Sequence, residues 1–372
     1  MHETPGKSQE NFTEALRAPD SRTDAPPQAP RPAGLGFGEE DLALIDALQS
    51  APRAPWARIG RALGIDATTA ARRWERLRAA GLAWVTAYDS ARATYVGFAE
   101  VRCRPGCLAE VSAAVSALPW VFSVSETAGD YDLLLNVAAS DPADIGRAVD
   151  RRVGRLPGVH SLRLRLGVTL YGEGGDWRIR AMEPAGRAEL PPSATTTRTA
   201  YGVGDGRRGA TPEDLALLDA LSADGRLGYT ALGAAAGVSE HTARRRVRRM
   251  LKDGDITLRC DFAHPLAGLP TMAVYRAHAP YSRLDATGGA LARMEQVRLC
   301  GSISGPDNLH IQVLLHGLAG MDPFQAQLAA RFPDLEIRDR TVTLRAVKRM
   351  GWLLDEQGRA VDRVPLAPPS RP

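Results

Sequence analysis

The residues with the most evident chemistry are the arginines of one run, Arg244-Arg245-Arg246-Val247-Arg248-Arg249. Like charges at successive turns of a helix repel one another. A polyphosphate surface relieves that repulsion, because each neutralised phosphate releases condensed counterions. Helical spacing puts Ala243, Val247 and Met250 on one inward face, and His241, Arg244, Arg245, Arg248 and Lys252 on the outward one. A weaker version lies upstream: Ala70, Trp74 and Leu77 take the inward positions, and Thr68, Ala71, Arg72, Glu75 and Arg76 face out. Arginine can hold guanine O6 and N7 with two parallel bonds, and threonine can touch a thymine methyl.

The elements that must present these residues are themselves repeated. Glu39-Glu40-Asp41-Leu42-Ala43-Leu44-Ile45-Asp46-Ala47-Leu48 returns as Pro212-Glu213-Asp214-Leu215-Ala216-Leu217-Leu218-Asp219-Ala220-Leu221. Gly64 returns as Gly237 with no gap between, so one polypeptide carries two versions of the same unit. In each, an apolar stripe (Leu42, Leu44, Ile45, Leu48; Leu215, Leu217, Leu218, Leu221) predicts a first helix. Gly64 and Gly237 end a short second helix. Asp66 and Ser239 cap a third, which Gly81 and Gly254 close. Leu82-Ala83-Trp84-Val85 and Thr94-Tyr95-Val96 are expected to form the two strands of a wing. Three helices with a tight glycine turn, followed by a hairpin, make a winged helix-turn-helix.

The first residues of such a third helix are the ones that reach base edges. They are Thr68, Ala71 and Arg72 in the first unit, and Glu240, His241, Arg244 and Arg245 in the second. Arg73, Arg76, Arg246, Arg248 and Arg249 are expected to touch phosphate or to brace the fold.

After each unit the pattern becomes β-α-β-β-α-β, the ferredoxin-like order. The expected class is α+β: two winged helix-turn-helix domains (37–92 and 210–265) and two ferredoxin-like domains (93–171 and 266–352) in tandem. A disordered tail over 1–36, a linker over 172–209 and a tail over 353–372 complete the chain.

Composition narrows the function. The net charge of +4 permits a polyanionic partner without demanding one, so the clustering of charge is more telling than its sum. Cys103, Cys107, Cys260 and Cys300 form no metal-binding pattern and are expected as thiols in a reducing, cytoplasmic setting. No apolar run reaches a membrane span, and no catalytic residue, metal or cofactor is expected.

On these residues the chain resembles the Lrp/AsnC family of feast/famine transcriptional regulators. The resemblance is carried by Asp41–Leu48, by Gly237–Met250 with Gly254 and Ile256, and by Gly129-Asp130-Tyr131-Asp132 entering a strand before Leu156-Pro157-Gly158-Val159. It covers about Phe37 to Tyr171 and Thr211 to Met350. It implies binding to double-stranded DNA, ferredoxin-like domains that pair through their sheets, further assembly as a homo-oligomer, and a small effector, usually an amino acid. That effector would bind near the Gly-Asp turn, at Gly129, Asp130, Tyr131 and Asp132, and at Gly305, Asp307 and Asn308 in the second half.

Gly and Asp also build tight turns for their own sake. The second turn replaces Asp132 with Asn308 and inserts Pro306, which lacks a backbone donor. Family members carry one such unit per chain, so this chain resembles a whole family dimer. Its two unlike heads need not read a palindrome. Two alternatives stay open. One is an enzyme like the siroheme decarboxylases, which would draw on His160, His278, His310 or His316. The other is a regulator with only one active head, the first being distorted by Trp74.

Overall fold

The computed structural model describes residues 36–90, 95–190, 199–200 and 210–369. The expected N-terminal tail up to residue 35, Thr94 of the expected wing, and most of 191–209 lie outside the described residues. The first repeat runs α1 (Glu39–Ser50), α2 (Trp56–Leu63), α3 (Ala67–Ala79), β1 (Ala83–Asp89), β2 (Tyr95–Cys103), α4 (Leu108–Ser116), β3 (Val121–Ala128), β4 (Leu133–Ala139), α5 (Pro142–Ala148) and β5 (Val159–Gly172). The connection holds α6 (Pro184–Glu189) and β6 (Thr199–Ala200). The second repeat runs α7 (Pro212–Ala223), α8 (Tyr229–Ala236), α9 (Glu240–Lys252), β7 (Ile256–Phe262), β8 (Thr271–His278), α10 (Leu284–Leu291), β9 (Val297–Ile303), β10 (Leu309–Leu315), α11 (Met321–Arg331) and β11 (Glu336–Arg349). Then come β12 (Trp352–Leu354) and β13 (Ala360–Arg363).

The helix boundaries follow from local chemistry. Gly64 and Gly237 take left-handed φ of 68° and 67° at the ends of α2 and α8, where a side chain would be strained. Asp66 accepts the Thr69 amide at 2.9 Å, and Ser239 accepts the Thr242 amide at 3.2 Å. Each cap satisfies a donor that the first turn of a helix leaves free. Ala70, Trp74 and Leu77 are buried on α3, as are Ala243, Val247 and Met250 on α9.

The wing departs from expectation. β1 does not fold back as a hairpin within its own repeat; it pairs antiparallel with β7 of the other. Tyr95 and Val96 open β2 and join the large sheet instead. A strand that pairs with its own repeat equivalent needs no tight turn beside it, so the sequence around it carries no signal of its partner. The register places Thr86 opposite Arg259, which are equivalent residues of the two repeats. A pseudo-dyad therefore passes between them.

The ferredoxin-like halves keep the orders β3-β4-β2-β5 and β9-β10-β8-β11. β5 then pairs with β9, and β11 with β3, so eight antiparallel strands close into one barrel. Closure leaves those strands no open edge. Helices pack outside: Val111, Val115, Ile145 and Val149 cover one half, and Leu291, Phe324 and Leu328 the other. Phe98, Tyr131, Leu134, Val274 and Ile303 cluster together where the two halves meet.

Two stretches expected to be loose are folded in part. Trp177, Met182 and Leu190, within the expected linker, are buried in the core of the first head. Trp74 lies in the same core, only 3% exposed, and α3 runs through it unbroken. The added apolar groups enlarge that core, which gives the bulky indole its place. In the expected tail after 352, β12 and β13 extend the sheet, the Ala360 amide donates to Gly81 O at 2.8 Å, and Arg363 reaches Asp219 at 3.0 Å.

Candidate nucleic-acid interface

The arginines of the two third helices fall into two groups. Arg76 meets Asp41 at 2.6 Å, and Arg73 bonds Glu40 and lies 3.6 Å from Asp41. In the second head Arg246 and Arg249 meet Asp214 at 3.0 and 2.7 Å. Asp41 and Asp214 are nearly buried. Burial alone would raise the Asp214 pKa, but bonds from Arg249 and Arg246 outweigh it and hold the carboxyl below its ordinary range. These four arginines tie the third helix to the first. Among the residues expected to touch phosphate or brace, Arg73, Arg76, Arg246 and Arg249 brace, and Arg248 is left facing solvent.

The remaining candidates lie outside. Thr68, Arg72, His241, Arg244, Arg245 and Arg248 are exposed, and Ala71 is half-buried. Arg72, Arg245 and Arg248 form no ion pair with a described residue. Glu240 is engaged locally: Thr230 Oγ1 donates to it at 2.7 Å, and Arg244 meets it at 2.7 Å. Arg244 also lies 5.0 Å over the Tyr229 ring. The cations of these two helices without an ion pair to a described residue are thus Arg72 on α3, and Arg245, Arg248 and Lys252 on α9.

The two Gly-Asp turns lie where the halves join. Gly129 has φ 155° and packs against Thr341, while Gly305 packs against Arg165. Asp132 accepts the Cys103 amide at 2.7 Å. Asn308 takes the equivalent Ala279 amide at 2.9 Å and returns a bond to Ala279 O at 2.8 Å. Both side chains therefore pin the start of a strand to the end of its neighbour. Tyr131 is buried inside the barrel, and Asp307 lies 3.4 Å from Arg165. Asp130 is the open member, 80% exposed, with Arg102 3.8 Å away. In the second half the positions of Arg102 and Asp130 are taken by His278 and Pro306, where His278 Nδ1 bonds Pro306 O at 3.1 Å.

No motif in the sequence marks Glu100, Arg165 or Arg276. Inside the barrel Arg276 donates to Glu100 at 2.9 Å and to His310 Nδ1, and Arg165 adds a bond to Glu100 at 3.4 Å. Phe98 stacks on His310 at 4.1 Å. Glu100 and Arg276 are equivalent positions of the two halves, an identity that the alternating strand pattern alone does not flag. Burial, then the charges of Arg276 and Arg165, hold the His310 pKa well below its ordinary value. The histidines do not gather: His160 and His316 are exposed, His316 bonds Gly268 O at 2.8 Å, and His278 and His310 have the separate partners given above. Among the described residues there is no group of side chains fit to hold a metal, and no helix is long and apolar enough to cross a membrane.

Residues 39–78 and 213–251 match the AsnC-type helix-turn-helix domain, and residues 96–166 match the Lrp/AsnC ligand binding domain. The uncharacterized HTH-type transcriptional regulator PH1916 of Pyrococcus horikoshii is 30% identical over 126 residues, covering 32% of this chain and 84% of the relative. The HTH-type transcriptional regulator FL11 of the same organism is 27% identical over 125 residues, covering 32% and 82%. Among solved structures, the siroheme decarboxylase NirDL, in co-complex with an iron-uroporphyrin III analogue, superposes with a TM-score of 0.54 at 14% identity. That match covers 84% of this chain and 93% of NirDL, and it speaks for the fold alone. With two AsnC-type helix-turn-helix units and the ligand-binding domain in their expected order, the chain belongs to the Lrp/AsnC family.

Proposed function

We propose that this protein is a sequence-specific, double-stranded-DNA-binding transcriptional regulator that reads two unlike half-sites. The observation that carries the reading is the division of labour on α3 and α9. The bracing arginines are spent on Asp41 and Asp214, yet each helix still shows cations outward from its N-terminal half. A buried brace and an open cationic face are what a recognition helix needs. Arg72 and Arg245 are the base-edge candidates, with Thr68 and His241 one turn earlier, and Arg248 serves phosphate.

An amino-acid effector would be held at the first half. Arg102 and Asp130 supply a guanidinium for its carboxylate and a carboxylate for its ammonium. His278 and Pro306 offer no such pair in the second half. Val168 and Leu344, equivalent exposed apolar residues on the long strands β5 and β11, support further self-association of the chain.

The test is binding of purified protein to fragments of its own upstream region, with competitor DNA and a salt series. Selective binding that weakens steeply with salt supports the reading. Absence of selectivity, with and without added amino acids, overturns it. The fold of NirDL gives a second reading, an enzyme acting on an acidic tetrapyrrole, favoured by the buried His310, Arg276 and Glu100 group. Titration with an iron-uroporphyrin analogue, followed by its visible absorption, tests that reading directly.

A further inference from the structure

The short loop between the first and second helices of each head holds an arginine, Arg53 in one and Arg226 in the other. These are equivalent positions of the repeat. Arg53 donates to Gly225 O at 2.6 Å and Leu227 O at 2.9 Å. Arg226 donates to Pro52 O at 2.5 Å and Ala54 O at 2.9 Å. Each guanidinium thus takes the two carbonyls that flank the other arginine. Each also lies over the first aromatic residue of the opposite second helix: Arg53 is 4.8 Å from the Tyr229 ring centre, and Arg226 is 3.8 Å from that of Trp56. Trp56 and Tyr229 are themselves equivalent. The contact is isologous, two copies of one motif closing on each other about the pseudo-dyad that relates β1 to β7.

The geometry has an energetic logic. Two facing guanidiniums repel, and burial followed by the charge of Arg53 brings the Arg226 pKa down to about 10. Four carbonyl dipoles and two ring faces offset that repulsion. A planar fork reaching two carbonyls fixes direction as well as distance, which a lysine at the same place cannot do. The β1–β7 ribbon ties the heads along one line, β13 bridges them from Gly81 to Asp219, and the arginine pair adds a tie between their first interhelical loops. Separated ties resist the rotation that a single one permits.

From this we infer that Arg53 and Arg226 are positioning residues that lock the two heads at one separation, so that DNA is read at a single half-site spacing. The inference rests on the DNA-binding reading for its consequence, and on the contacts alone for the lock. Two measurements on the full chain test it. The first is the distance distribution between spin labels at Ala79→Cys and Lys252→Cys, equivalent exposed positions on α3 and α9, with Cys103→Ser and Cys107→Ser. A narrow distribution that broadens in the Arg53→Ala/Arg226→Ala variant supports the lock; an unchanged width overturns it.

The second is affinity for operator fragments whose half-sites are moved apart in single base-pair steps. The native chain should lose about tenfold on insertion of about 5 base pairs, which turns the second half-site to the opposite face of the duplex. The double variant should show a flatter profile with unchanged affinity for an isolated half-site. An equally sharp profile overturns the positioning role. If the native chain shows no selective DNA binding, the regulator reading fails along with the spacing consequence, and the label distances still decide the lock. Arg53→Lys/Arg226→Lys keeps both charges and guards against loss of folding. It should also broaden the distances, because the two-carbonyl fork is gone.

Discussion

In α3, Arg73 and Arg76 turn inward to Asp41; in α9, Arg246 and Arg249 turn inward to Asp214. The positions beside them have diverged. Thr68 faces His241 across the repeat alignment, Ala71 faces Arg244, Glu75 faces Arg248, and Ala79 faces Lys252. Every one of these is on the outer or half-buried surface. The barrel has diverged in a different way. Glu100 and Arg276 are equivalent residues that bond each other across the pseudo-dyad, and His310 stands where the first half has Leu134. A homodimer would place identical residues at both positions and could not form that pair. The difference teaches what fusion permits: heads that keep one scaffold and change their outer face, and a barrel whose interior is complementary instead of identical.

The largest effect is expected where complementarity is buried. Glu100→Ala would leave Arg276, 2% exposed, without its carboxylate. Loss of one partner of a buried pair costs about 3–5 kcal/mol. Urea unfolding should show that loss, and the balanced variant Glu100→Leu/Arg276→Leu should recover most of it. If Glu100→Ala unfolds like the native protein, the buried pair does not hold the halves together.

A smaller effect should separate the heads. Arg245→Ala and Arg72→Ala remove equivalent outward arginines, and each should weaken operator binding by about 1–3 kcal/mol if it reads a base. The loss should fall on a different half-site in each case, visible as a footprint that retreats from one side only. Arg248→Ala should instead weaken binding to all sequences and lower the salt slope by about 0.9. A footprint that shrinks on the same side for both arginines breaks the assignment of one head to each half-site.

The unlike interiors also predict a pH response. His310 is buried and held neutral in the folded chain, whereas the unfolded chain takes up a proton below the ordinary value of 6.5. The unfolded state then binds more protons, so stability falls as the pH drops below about 6.5, by about 1.4 kcal/mol per pH unit for this group. His310→Leu, which makes the second half match the first at this position, should flatten the slope between pH 6.5 and 5. An unaltered slope would assign the acid sensitivity to other groups, of which the buried His264 is the first to examine.

Much of this architecture was legible because it is local. The caps at Asp66 and Ser239, the glycines at 64 and 237, and the alternation in β2 to β5 each announce an element from a few adjacent residues. The buried faces of α3 and α9 followed from spacing alone. What stayed hidden depends on the partner across the dyad. Nothing near Leu82–Val85 says that β1 will pair with β7. The resemblance offers Asp132 and Asn308 as ligand groups; that they bond the amides of Cys103 and Ala279 is not written in the turn, where a carboxylate or amide looks alike whatever it meets. Arg53 and Arg226 did carry a signal: an arginine, then an aromatic residue three positions on, in both repeats and outside the recognition helix.

The finest test of the comparison is to make one head resemble the other. Glu75 is the anionic residue of α3 at the place of Arg248, and it bonds Arg78 at 2.6 Å on an exposed surface. Such a pair contributes less than about 1 kcal/mol to stability, so Glu75→Arg should fold normally. It removes one negative charge and adds one positive charge at a position that α9 uses as a cation. If Glu75 faces the duplex, the variant should bind random DNA about three- to tenfold more tightly, with a salt slope steeper by about 0.9 per added phosphate contact. Its preference for its own operator should shrink, because the added affinity does not depend on sequence. The native glutamate would then act by repelling phosphate wherever Arg72 and Thr68 are not in register, which makes the first head the more selective of the two. If binding to random DNA is unchanged, Glu75 points away from the duplex, and the charge difference between the heads is a property of their solvent faces alone.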